Sequence, residues 1–215
     1  MRFLLLDKKN WSGKLVSTQG DYLNIVNSNL GGTKANYFVK NSYDYKVNSM
    51  TRDGLLRSNL TLNYKHNGVD MSWPGGPYKN YIRVLKNTGT KLTGATILIN
   101  NNNTEDIFSD VIINKVGDFD SFEYMLNLNP TESAVINLNF DLPLSLSFNK
   151  SFKDYNLYWQ KQPGTMGDRI TFNIKEPFGT EIREFQTNSA YEENDESINF
   201  VDFLDTDKYF RINIE

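Results

Sequence analysis

Ala134-Val135-Ile136-Asn137-Leu138-Asn139-Phe140-Asp141-Leu142 carries an apolar side chain at every second position. Successive side chains of an extended strand point to opposite faces, so Ala134, Ile136, Leu138, Phe140 and Leu142 share one face of a pleat. Asn137, Asn139 and Asp141 put polar groups on the other. Strands of this one-sided kind belong to antiparallel sheets with one wet face.

The same period recurs along the chain. Leu60, Leu62 and Tyr64 alternate with Thr61, Asn63 and Lys65, and Tyr78, Asn80, Ile82 and Val84 with Lys79, Tyr81 and Arg83. Phe122, Tyr124, Leu126 and Leu128 share a face, as do Leu157 with Trp159, Ile170 with Phe172 and Ile174, and Phe210 with Ile212 and Ile214. Turn chemistry separates these runs: Arg52-Asp53-Gly54, Asn67-Gly68, Asn87-Thr88-Gly89 and Asn129-Pro130-Thr131-Glu132. Asn-Gly between alternating runs is a hairpin signal. Trp73-Pro74-Gly75-Gly76-Pro77 cannot continue a ladder and reads as a loop. Asn100-Asn101-Asn102-Asn103 reads as a loop tip. Residues 21–29 fit a short helix capped by Asp21 about as well as a strand. Residues 176–207 read as two strands with a long loop near 189–197.

These signals predict an all-β fold, an antiparallel immunoglobulin-like or related β-sandwich with an N-terminal extension. The predicted division is 1–50 as the end of a preceding region, 51–177 as the sandwich domain, and 178–215 as strands that complete or extend it.

Composition narrows the function classes. The 215 residues carry a net charge of −3, and their Lys and Arg are interleaved with Asp and Glu, which argues against a phosphate-binding nucleic-acid surface. Fourteen Phe, twelve Tyr and three Trp supply a large aromatic core. There are no cysteines, which removes disulfides, thiol nucleophiles and thiolate metal sites together. The opening Met1-Arg2-Phe3-Leu4-Leu5-Leu6 is too short an apolar run for a signal core and reads as a strand, so any export signal is expected outside this chain.

Candidate chemistry is sparse, and no catalytic, metal or cofactor site is predicted. His66 is the only histidine, and beside Asn67-Gly68 it reads as a solvated turn residue. Asp118 with Asp120, and Asp202 with Asp205 and Asp207, have oxygen ligands suited to calcium but no EF-hand spacing, and read as solvated edges. Gly31-Gly32-Thr33-Lys34 lacks phosphate-loop spacing and reads as a reversal of the backbone. Trp73, Tyr78, Tyr81, Tyr158 and Trp159 offer aromatic faces on which sugar rings stack, but core packing accounts for them too. The speculative ligand set is Trp73, Tyr78, Trp159 and Gln160, with Lys161 and Gln162 beside it; Trp73 leads because its loop is expected to be exposed.

Three stretches resemble a known family. Asp21-Tyr22-Leu23-Asn24-Ile25-Val26-Asn27-Ser28-Asn29-Leu30-Gly31-Gly32-Thr33-Lys34-Ala35-Asn36, Gly76-Pro77-Tyr78-Lys79-Asn80-Tyr81-Ile82-Arg83-Val84 and Leu157-Tyr158-Trp159-Gln160-Lys161-Gln162-Pro163-Gly164-Thr165 stand in this order. Together they look like the C-terminal portion of the bacterial domain-of-unknown-function family numbered four thousand and twelve, over residues 11–177. The resemblance implies envelope proteins with an N-terminal membrane helix and a region somewhat similar to cell-wall polymer transferases. Both would lie outside this chain, so membrane attachment is expected only through a segment absent here. The family has no established activity, hence no site to transfer. The implied role is a non-enzymatic extracytoplasmic module: a spacer, scaffold or binding domain whose partner is a cell-wall polymer, a glycan or another surface protein. The implied alternatives are the accessory part of an envelope enzyme, or a carbohydrate-binding module.

Overall fold

The computed structural model describes residues 13–49, 55–146, 154–175, 182–194 and 197–214. It holds strands β1 (Asp21–Asn29), β2 (Val39–Ser49), β3 (Leu56–His66), β4 (Tyr78–Asn87), β5 (Lys91–Ile99), β6 (Thr104–Asp106), β7 (Ile112–Val116) and β8 (Phe119–Leu128). These continue into β9 (Ser133–Asp141), β10 (Asp154–Gln160), β11 (Arg169–Lys175), β12 (Ile182–Thr187), β13 (Tyr191–Asn194), β14 (Ser197–Phe203) and β15 (Lys208–Ile214). Helix among the described residues is confined to three-residue 3-10 turns. The expected strand at the N-terminus and the Arg52-Asp53-Gly54 turn fall outside the described residues.

The strands form two sheets packed as a sandwich. One runs β12-β15-β10-β1-β4-β8-β7, the other β13-β14-β11-β2-β3-β9-β5-β6. Alternation places the inner faces as read: Leu60, Leu62 and Tyr64 of β3 and Ile136, Leu138 and Phe140 of β9 are all buried. Phe172 sits at the centre of an aromatic stack, 4.7 Å from the ring of Phe210, 5.5 Å from Phe200 and 6.0 Å from Tyr45. Rings at these spacings fill volume that aliphatic side chains would leave open.

The expected antiparallel order needs correction, because both sheets are mixed. β1 pairs in parallel with β10, and β2 in parallel with β11. The reason is connectivity. β1 crosses to β2 in the other sheet, and β10 crosses to β11 beside it in the same sense. Two like crossings laid side by side give one parallel pair in each sheet. Alternation reports which face is buried, not which way a neighbour runs.

The segment read as a preceding region supplies interior strands: β1 lies between β10 and β4, and β2 between β11 and β3. The boundary near residue 50 therefore falls between two strands paired along their whole length. β1 resisted assignment because both its faces are covered. Leu23 and Ile25 enter the main core, while Tyr22 packs with Leu85 and Phe119 on the other side, under Leu15 and Val26. Among the described residues of the stretch 176–207 there are three strands, β12, β13 and β14, rather than two.

Side-chain amides extend the β1 ladder at both ends. Asn87 accepts from Tyr22 N–H at 2.8 Å and donates to the Gly20 carbonyl at 3.0 Å. Gln162 accepts from Asn27 N–H at 2.8 Å and donates to the Asn27 carbonyl at 3.0 Å, just past the end of β10. A central strand cannot leave these groups unpaired.

Candidate functional site

At the end of the sandwich where β1 and β10 finish, residues 30–38 and 67–77 form a joined rim. Lys34 N–H donates to the Pro74 carbonyl at 2.8 Å, and Asn67 N–H to the Phe38 carbonyl at 2.7 Å. The rim exposes Leu30, Tyr37, Phe38, Val69, Met71 and Trp73, with Tyr37 and Trp73 78% and 74% accessible. Apolar side chains concentrated on two bonded loops are unlike the scattered exposed residues of an ordinary surface. Asp70 takes both the N–H and the hydroxyl of Ser72, tightening the loop behind Trp73.

His66 holds this rim from below, which corrects its reading as a solvated turn residue. It is fully buried at the end of β3. Nε2 lies 2.9 Å from the Gly76 carbonyl, and Nδ1 accepts from Gly68 N–H at 3.0 Å. Asn67-Gly68 does not close a hairpin. It opens the eleven-residue link 67–77 that carries the chain from one sheet to the other. Gly68 is required by close approach, since a Cβ there would stand 2.6 Å from the imidazole Cε1. With both nitrogens engaged by backbone, His66 braces the loop and is not placed as a base.

The predicted ligand residues do not converge. Trp73 is exposed on the rim, while Tyr78 is buried where the same loop enters β4. Trp159 is fully buried, its ring 6.1 Å from that of Tyr45. Gln160 is buried too, bound to the Tyr22 hydroxyl at 2.7 Å and to the Lys14 carbonyl at 2.9 Å. Trp159 and Gln160 are core residues because residues 13–20 cover the outer face on which Gln160 lies, while Trp159 points between the sheets.

Beneath the rim lies a network that sequence reading missed. Asn27 donates to the Tyr43 hydroxyl at 2.8 Å and accepts from Tyr64 at 2.8 Å and Asn80 at 2.7 Å. Tyr43 donates onward to Asp168 at 3.1 Å. Burial pushes the Tyr43, Tyr64 and Tyr78 phenols above their usual range. Burial also raises the Asp168 carboxyl, against the lowering effects of Tyr43, Asn41 and Lys161. At β14–β15, Lys208 contacts Asp202 at 2.8 Å and Asp205 at 3.0 Å. Asp207 instead accepts from Tyr158 at 2.5 Å and from Lys161 N–H at 2.8 Å. No three His, Cys, Asp or Glu among the described residues gather as a metal site.

A second missed cluster lies inside the opposite half of the sandwich. Asp21 of β1 and Lys86 of β4 are both fully buried, with Nζ 2.6 Å from Oδ1. Tyr45, reaching across from the other sheet, donates to Asp21 Oδ2 at 2.5 Å, and Tyr155 donates to the same oxygen at 2.7 Å. Lys86 also donates to the Tyr45 hydroxyl at 2.6 Å. Burial pushes the lysine down from its usual range, opposed by the nearby Asp21 carboxylate.

No protein-family model and no curated protein matches the chain. Among solved structures, a Legionella pneumophila protein provisionally described as nutrient-binding is similar at a TM-score of 0.50 and 7% identity, over 90% of this chain and 71% of that one. An M1 zinc metallopeptidase from Deinococcus radiodurans aligns at 0.40 and 12% identity, over 81% of this chain and 42% of that one. The first likeness is one of fold alone. No helix among the described residues is long and apolar enough to cross a membrane.

Proposed function

We propose that this chain is a non-enzymatic module of the bacterial cell envelope that binds a glycan or wall polymer through its loop rim. The carrying observation is the exposed apolar cluster of Leu30, Tyr37, Phe38, Val69, Met71 and Trp73 on two loops that backbone bonds and His66 hold in place. Rigid aromatic faces cost little conformational entropy to present, and they stack on the C–H faces of sugar rings. Asn36, Asp70 and Ser72 stand among them with groups able to bond sugar hydroxyls. In the immunoglobulin-like manner expected from the sequence, binding is placed on loops at one end of the sandwich rather than on a sheet. Placement at the envelope rests on the resemblance of the three sequence stretches. The non-enzymatic reading rests on the engagement of His66 by backbone and on the neutralisation of Asp202 and Asp205 by Lys208.

The test is sedimentation of the protein with insoluble cell-wall material, together with a glycan array, for the parent chain and the Trp73→Ala and Tyr37→Ala variants. Binding by the parent that falls at least tenfold in the variants, at unchanged melting temperature, supports the proposal. Absence of binding by the parent, or binding indifferent to both substitutions, overturns it.

A further inference from the structure

The Asp21–Lys86 pair is costly as it stands. Removing two unit charges from water carries a desolvation penalty that their attraction only partly returns, and apolar replacements of such pairs are often no less stable. Both residues are fully buried, and β1 and β4 hold them on neighbouring strands. A pair fixed in a water-excluded core is also the arrangement in which two groups react as one molecule, with effective concentrations far above those in solution.

We propose that Lys86 and Asp21 condense without an enzyme into an intramolecular amide that cross-links β1 to β4. The step balances with no outside reagent. Proton transfer from the ammonium to the carboxylate gives a neutral amine and a neutral acid. The Nζ lone pair then attacks Cγ, and the negative charge that develops falls on Oδ2. Tyr45 and Tyr155 already donate to that oxygen at 2.5 and 2.7 Å, the positions an oxyanion site requires. Oδ1, 2.6 Å from Nζ, takes up the second proton from nitrogen and departs as water. The Cγ–Nζ bond forms first, the Cγ–Oδ1 bond breaks as the Oδ2 charge collapses back to a carbonyl, and a neutral amide replaces two buried charges. Burial favours the neutral amine needed for attack, in the way desolvated lysines become nucleophiles elsewhere. Tyr45 belongs to the opposite sheet, so the constellation is complete only when the sandwich has closed, which ties the reaction to the folded state.

Intact-mass measurement of the folded chain tests this directly. The expected mass is one water below that of the sequence, and the Lys86→Arg and Asp21→Ala chains are expected at full mass. Tryptic digestion of the parent should leave the bond after Lys86 uncut and yield one branched fragment that joins the Asp21 and Lys86 peptides. This reading needs no variant to fold. A parent chain at full mass after prolonged incubation in the folded state overturns the proposal. Loss of water without the branched fragment, as an imide at Asp53-Gly54 would give, overturns it equally.

Discussion

The imidazole of His66 joins two main-chain groups eight residues apart, donating from Nε2 to the Gly76 carbonyl and accepting at Nδ1 from the Gly68 N–H. A carbonyl can only accept and an amide N–H only donate, so these contacts select the Nε2–H tautomer. The ring thereby fastens both ends of the loop that displays Trp73. Replacing His66 by Ala should leave a cavity and two unpaired buried groups. A loss of roughly 3 kcal/mol is expected, the sum of moderate cavity and hydrogen-bond costs. Urea unfolding followed by circular dichroism measures it, and a midpoint equal to the parent's would show that the loop does not depend on this brace.

What the sequence made legible follows from what a period of two encodes. β3 and β9 were readable because each has one dry face and one wet one. β1 was not, because residues 13–20 dry its second face and erase the alternation. His66 reads as exposed because Asn67-Gly68 has the composition of a hairpin turn, although here its glycine only makes room for a ring. Asp21 and Lys86 stand 65 positions apart, and no local pattern joins them. The parallel pairings were equally hidden, since strand direction leaves no mark on side-chain order.

The two tryptophans of the predicted ligand set, of which Trp73 leads, should separate on stability. Trp73 is exposed, so Trp73→Ala should change unfolding free energy by no more than about 0.5 kcal/mol. Trp159 is fully buried, so Trp159→Ala should cost about 3–5 kcal/mol. Thermal melts of both variants decide it, and equal losses would contradict the burial assigned to either ring.

Asp168 should make stability depend on pH in the sense opposite to an ordinary paired carboxylate. Its folded pKa is raised, chiefly by burial, so the folded chain holds the proton more tightly than the unfolded one. Stability from this group is complete below the unfolded value near 3.9 and is lost as pH rises through the folded pKa. Asp168→Asn should therefore stabilise the protein at pH 7 by up to about 1 kcal/mol, an advantage that fades below about pH 4. Denaturation midpoints at the two pH values test the sign.

The Lys208 contacts act the other way. Hydrogen bonds and attraction from Lys208 hold the Asp202 and Asp205 carboxyls low despite some burial, and the two aspartates raise Lys208 against its own burial. Stability from the aspartates is present above about pH 4 and lost as pH falls through their depressed values; that from Lys208 is lost as pH rises through its raised one. Lys208→Gln should cost about 1 kcal/mol at neutral pH, little more because Asp205 is well exposed. The difference should shrink towards both pH extremes, and a pH-independent loss would assign the effect to packing instead.

Gln162 gives a prediction confined to one hydrogen bond pair. Its amide stands where a continuing β10 would present a main-chain peptide to Asn27, offering an acceptor to the N–H and a donor to the carbonyl. Gln162→Ala removes both and opens that point of β1 to water. The main consequence should be local: faster hydrogen exchange at the Asn27 amide, with about 1 kcal/mol lost globally. Gln162→Glu separates the two bonds, because a carboxylate still accepts from Asn27 N–H but cannot donate to its carbonyl. Protection of the Asn27 amide should therefore survive in the Glu variant and vanish in the Ala variant, while both lose stability. Residue-resolved exchange that finds Asn27 equally protected in all three chains would show that this side chain does not complete the strand.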